Sequence, residues 1–170
     1  MNIPVRKVAI ALAVTGLSIA GVSTAVAALT DSGHQKFTIT TVGRGPSTVV
    51  AKGPISGEGT ETNNHLTKVP GETFQSTLSY PDGAVHIDVH PGPPNVQFNP
   101  DSCVTTITER DTFNITGADG IYAGATGSGT SRLRVILEGA RAATGDCAGP
   151  GTPPVSSNLL VKGKGTVSIP

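Results

Sequence analysis

Thr73-Phe-Gln-Ser-Thr-Leu-Ser-Tyr-Pro-Asp-Gly-Ala-Val-His-Ile-Asp-Val-His90 decides the fold of this chain. In its middle, Pro81-Asp82-Gly83 supplies a fixed φ, a side-chain acceptor and a permissive residue in the order a tight turn uses. On the downstream arm Val85, Ile87 and Val89 fall on one face by the two-residue period, and His86, Asp88 and His90 on the other. On the upstream arm Phe74, Ser76, Leu78 and Tyr80 alternate with Thr73, Gln75, Thr77 and Ser79. Each arm has an apolar face and a wet one, so the stretch predicts an antiparallel hairpin buried on one side.

The same grammar runs outward in both directions. Gly and Pro punctuate the chain at short intervals, with Thr, Val, Ser and Ile between them, the pattern of short strands joined by turns. Strands are expected at 36–42, 47–55, 57–62, 73–80, 84–90, 96–98, 103–116, 121–124, 130–138 and 159–169. Ala118-Asp-Gly120 is a second turn signal, and Arg132 and Arg134 alternate with Leu133, Val135 and Leu137. Gly-x-Gly-Thr recurs at Gly57, Gly127 and Gly163. Glycines two apart share a strand face, where they let a sheet coil sharply or another backbone come close. The fold class is all-β: a single antiparallel closed barrel of about eight strands, with a β-sandwich as the alternative. Closure also covers strand edges that would otherwise aggregate.

The start of the chain has a different character. Arg6 and Lys7 precede an apolar run from Val8 to Ala27, and Ala25-Val26-Ala27 supplies the A-x-A pattern of a signal peptidase site. Residues 1–27 are therefore expected to be a signal peptide and 28–170 a single secreted domain, with no stable membrane anchor after cleavage. Removing 1–27 leaves 143 of the 170 residues, with 10 Lys and Arg against 12 Asp and Glu. With those cations scattered singly along the chain, nucleic acid is not an expected partner. Cys103 and Cys147 are the only cysteines, and in an oxidising compartment an isolated pair reads as one disulfide. A loop of that size would restrain the unfolded chain by about 4 kcal/mol in the chain-entropy account.

Candidate chemistry is sparse. His86-x-Asp88-x-His90 puts two imidazoles and a carboxylate on one strand face and could ligate Zn²⁺ or Cu²⁺; the plainer reading is the wet side of an amphipathic strand. Glu109 and Asp111 share a face opposite Arg110; inside a barrel such a pair could act as acid and base, but charged outer surface is the ordinary place for it. No Ser lies in a G-x-S-x-G elbow. The glycine-rich 117–129 is followed by a strand pattern rather than a helix, so it is not a phosphate loop. Residues 139–158 lack periodicity and hold Cys147. Pinned to Cys103, they would plug one end of the barrel or form a lid over it.

Gly117-Ala-Asp-Gly-Ile-Tyr-Ala-Gly-Ala-Thr-Gly-Ser-Gly129 resembles the glycine-rich hairpin of the allene oxide cyclase and dirigent barrel superfamily. The wider layout is similar to a group of small exported actinomycete proteins: Gly-Pro-Ile-Ser-Gly-x-Gly-Thr, a Pro-Asp-Gly hairpin, Asn-Pro-x-x-Cys, this hairpin, and a Gly-Thr-Val-Ser end. The resemblance covers about 37–170 and implies an eight-stranded antiparallel barrel, with homo-oligomers as in the plant relatives. Allene oxide cyclases close a ring and dirigent proteins hold radicals, both in a pocket inside the barrel. None of their functional residues maps onto this chain.

Two functions from different classes follow, and no cofactor is expected for either. The first is a binding module in which Val85, Ile87, Val89, Leu133 and Val135 line a cavity for a small apolar or aromatic ligand, in the interior or at its mouth. The second is a structural or surface-interaction protein with a filled barrel and no ligand. A cyclase- or isomerase-like enzyme is a third.

Overall fold

Alternating apolar residues pair into strands here because a β-branched or aromatic side chain packs well on one face of a pleated surface. The computed structural model describes residues 31–62, 72–149 and 151–170; the expected signal segment 1–27 lies outside them. The strands are β1 (Asp31–Val42), β2 (Ser47–Lys52), β3 (Gly57–Thr62), β4 (Phe74–Tyr80), β5 (Gly83–His90), β6 (Asn95–Asn99), β7 (Val104–Ala118), β8 (Thr126–Glu138) and β9 (Ser156–Ile169). Neighbours pair antiparallel around the ring β1-β2-β3-β4-β5-β7-β8-β9, and the β5–β7 pairing closes it. The result is the expected closed barrel of eight strands and not a sandwich. β6 is an extra strand outside the ring, bonded to β7.

The β4–β5 hairpin has the register its alternation implies: Phe74 opposes Val89, Ser76 opposes Ile87 and Leu78 opposes Val85. All six point inward, and Phe74, Leu78, Val85, Ile87 and Val89 join Phe37, Ile39, Val49 and Val161 in one apolar core. Phe37 and Phe113 meet edge to face with centroids 5.3 Å apart. The Gly-x-Gly-Thr segments of β8 and β9 meet across the barrel wall, Gly129 directly opposite Gly165. A Cβ on Gly129 would lie 2.2 Å from the Lys164 carbonyl oxygen and 2.6 Å from Phe113 Cζ, so the missing side chains admit both a close backbone and an aromatic ring.

Three expectations are corrected. Residues 121–124 are not a strand: Gly120–Tyr122 form a 3-10 turn that starts at Gly120 with φ +62° and is followed by Gly124 with φ +80°, values a strand does not use. The turn swings Tyr122 inward against Tyr80, edge to face at 5.8 Å.

Glu109-Arg110-Asp111 is not a charged outer surface. The alternation holds, with Arg110 exposed, but Asp111 is buried inside and Glu109 is half-buried. The cause is a change of partner along β7, whose residues 112–118 pair with β5 and 104–108 with β6. Between these stretches, Asp111 Oδ1 accepts the Gly92 N–H at 3.3 Å and Oδ2 accepts the Ser131 hydroxyl at 3.4 Å. A carboxylate is tolerated inside because donors reach it.

The Lys and Arg residues that are scattered in sequence are gathered in space. Lys36, Lys52, Arg110, Arg132, Arg134, Lys162 and Lys164 all project from the outer face of the adjoining strands β2, β1, β9, β8 and β7. Antiparallel pairing brings together positions more than a hundred residues apart.

Candidate functional site

β5 and β8 carry the residues expected to line a ligand pocket, and alternation does point them into the barrel. Val85, Ile87, Val89, Leu133 and Val135 are each no more than 5% exposed. They meet other side chains there. The interior space bounded by Gln35, Phe37, Ile55, Tyr80, Ile87 and Phe113 is about 20 Å³, room for one water molecule and far below the roughly 300 Å³ of a small-molecule site.

Polar groups inside the barrel bond to one another. Ile55 N–H donates to Gln35 Oε1 at 3.0 Å and Gln35 Nε2 donates to the Ile55 carbonyl at 2.9 Å. Thr41 and Ser47 hydroxyls meet at 2.6 Å, and Ser76 donates to Glu61 Oε1 at 2.7 Å. Burial, with Tyr122 adding to it, pushes the Tyr80 hydroxyl well above its ordinary pKa; burial and then the Asp82 carboxylate raise Tyr122.

The opposite face of β5 carries His86, Asp88 and His90 to the outside, as expected. Each imidazole is tied to the neighbouring arm of the hairpin: His86 Nδ1 lies 3.0 Å from Thr77 Oγ1 on β4, and His90 Nδ1 lies 3.1 Å from Oγ1 of Thr73, just before β4. His86 Nε2 is 3.9 Å from Asp119 Oδ2, and Asp88 Oδ1 is buried without a hydrogen-bond partner. Among the described residues no three His, Cys, Asp or Glu side chains converge on a point that could hold a metal ion. Outward residues on a straight strand stand about 7 Å apart, whereas Zn²⁺ draws its donors to within about 2 Å of one centre.

The Cys103–Cys147 disulfide is present, its Cα atoms 5.4 Å apart. It follows a turn in which Asn99 Oδ1 accepts the N–H groups of Asp101 and Ser102, and Cys103 itself sits at φ +56°. The segment it anchors does not plug the barrel: none of the described residues of 139–155 is buried and none belongs to the core. It forms a lobe of its own, held by Ala142 N–H to the Asp146 carbonyl, Ala148 N–H to the Ala140 carbonyl, and Arg141, which reaches the carbonyls of Gly145 and Asp101.

Between this lobe and the strands lies a groove of about 500 Å³ whose lining includes Phe98, Thr105, Leu137, Cys147 and Pro154. Register explains its apolar floor. Val96 opposes Ile107 and Phe98 opposes Thr105, which in turn opposes Leu137. These residues continue the inward face of the barrel wall past the point where β5 has turned away, leaving Val96 and Phe98 more than half exposed. Sequence reading missed the groove; the visible signal was the alternation of Val96 and Phe98 in a short, isolated strand.

No family model, no curated protein and no solved structure matches this chain.

Proposed function

We propose that this chain is an exported, disulfide-stapled β-barrel that works through its outer surface: a structural or surface-interaction protein, not an enzyme or a carrier with an internal ligand. The observation that carries the reading is the tight packing of the core, where the space among Gln35, Phe37, Ile55, Tyr80, Ile87 and Phe113 is about 20 Å³. A cyclase or isomerase in the manner of the allene oxide cyclases would need a reaction chamber there. Kinship with that superfamily remains part of the proposal, supported by the eight-strand closure and by the 117–129 hairpin. Export is supported by the signal-like start and by the disulfide; among the described residues no helix is long and apolar enough to cross a membrane.

The test is native mass spectrometry of the full-length gene product taken from the medium of a secreting host. A bare mature polypeptide two hydrogens light for the disulfide is the expected spectrum, and it reports any oligomer directly. A retained small-molecule mass would sink the surface reading.

A second reading rests on the groove at the barrel mouth, whose roughly 500 Å³ suits a small apolar or aromatic ligand. A fluorescent anilinonaphthalene probe tests it: Phe98→Ala and Leu137→Ser should each weaken the probe's binding, and equal binding by wild type and both variants would discard the reading.

A further inference from the structure

The seven exposed cations on the outer face are ordered by strand register. Lys52, Lys36 and Lys164 stand directly opposite one another on β2, β1 and β9. One step along, Lys162, Arg132 and Arg110 do the same on β9, β8 and β7, and Arg134 follows two residues after Arg132. The other positions of these three rows hold Thr38, Thr40, Thr48, Thr108, Thr112 and Thr130, with Val50 and Leu160. On these five strands no Asp or Glu occupies any of them; Glu58 on β3, opposite Val50, marks the edge of the middle row. A depression of about 710 Å³ crosses the face, with Lys36, Arg110, Arg132, Lys162 and Lys164 in its lining and the inward-turned Asp111 at its floor.

Like charges directly opposed across a sheet destabilise it. This chain has as many acidic as basic residues, so the concentration is not a by-product of an overall basic composition. Neighbouring strands lie about 4.8 Å apart and alternate residues about 7 Å. The face is therefore a lattice of positive charge with threonine hydroxyls in the gaps, suited to a ligand whose negative charges also repeat.

We propose that this face binds a linear acidic polysaccharide, a chain bearing carboxylates or sulfates on successive sugars. Multivalent anions relieve the repulsion between opposed cations, and sugar hydroxyls match the threonines. The rows hold no Phe, Tyr or Trp, so the face lacks the stacking platforms that grip single-stranded nucleic acid and the aromatic anchors that seat a protein in a membrane interface. The proposal deepens the surface-interaction reading and rests on it.

The test uses the secreted full chain against heparin and polygalacturonate, with duplex DNA and phosphatidylserine vesicles as competing occupants. The expected result is salt-sensitive binding to at least one polysaccharide, weakened at least tenfold in the triple variant Lys36→Gln, Lys162→Gln, Lys164→Gln and retained in the triple variant with Arg at the same positions. Arg44→Gln, an exposed cation in the β1–β2 turn, should bind as wild type does. The Gln triple variant should melt no lower than wild type, because it removes opposed like charges; a lower Tm with lost binding is met by repeating the measurement on Arg132→Gln with Arg110→Gln. Failure of the wild type to bind either polysaccharide at low salt overturns the proposal, as do Gln variants that bind undiminished, or tighter binding of DNA or vesicles. None of these outcomes touches the surface reading itself, which stands or falls on the native mass.

Discussion

The ring of Phe37 occupies the space where a side chain on Gly163 would be. A Cβ built there lies 2.1 Å from Phe37 Cζ and 2.3 Å from Cε1. Phe37 has no free direction in which to retreat, since its ring meets Phe113 edge to face and the residue is 7% exposed. Gly163→Ala should therefore cost about 1–3 kcal/mol by overpacking, measured by urea unfolding. Phe37→Leu, which shortens the intruding group, should recover part of that loss in the double variant; simple additivity would show that the contact does not matter.

The two turns read from the sequence lock together. Asp119 N–H donates to the Ala84 carbonyl at 2.9 Å, Ile121 N–H to the Asp82 carbonyl at 3.0 Å, and Asp119 Oδ1 accepts the Ala84 N–H at 2.7 Å. Gly120 has φ +62°, and a Cβ there would come within 2.2 Å of the Asp82 carbonyl oxygen; Gly43 has the same φ but open space around it. Gly43→Ala should thus cost only the left-handed backbone penalty of about 1–2 kcal/mol. Gly120→Ala should cost clearly more, and equal losses in the two Tm values would contradict the docking of one turn on the other.

Replacing Cys103 and Cys147 by Ala should lower stability by about 2–4 kcal/mol, the range for a closed loop of this size. Because none of the described residues of 139–155 enters the core, the barrel should keep its far-ultraviolet circular dichroism while the lobe becomes open to proteolysis. Loss of all β signal in the reduced protein would mean that the lobe is needed for the barrel to fold.

Tyr80 and Tyr122 are the only tyrosines, so phenolate absorbance reports on them alone. Both bind their protons more tightly in the folded chain, Tyr80 through burial and Tyr122 through burial with Asp82 beside it. Their contribution to stability is then complete below about pH 10, the ordinary phenol value, and falls as pH rises from there. Phenolate absorbance should appear together with unfolding. Titration of both groups near pH 10 in a still-folded barrel would refute their burial.

Asp111→Ala should cost about 1–3 kcal/mol, because the Gly92 N–H and the Ser131 hydroxyl lose their acceptor at the point where β7 changes partner. Asp111→Asn keeps an acceptor oxygen and should cost less; the opposite order in chemical denaturation would show that charge, not hydrogen bonding, holds the crossing.

Much of the fold was legible from local pattern. A period of two is a property of neighbouring residues, so the inward set of Val85, Ile87, Val89, Leu133 and Val135 could be read without coordinates, and so could the Pro81-Asp82-Gly83 turn. The 121–124 segment misled because Ile121 and Tyr122 are strand formers, while Gly120 and Gly124 supply the left-handed backbone of a turn; docking of that turn on Asp82 and Ala84 settled the contest. Asp111 misled because a carboxylate belongs outside unless donors distant in sequence converge on it.

The all-β class, the hairpins, the in-and-out order along each strand and the cysteine pairing follow from residue type and near spacing. How tightly the barrel is filled, where the 139–155 lobe lies, and that cations as far apart as Lys36 and Lys164 form one face emerge from the folded chain alone. Volume left after packing, and register between strands remote along the chain, are relations among residues that no local pattern encodes.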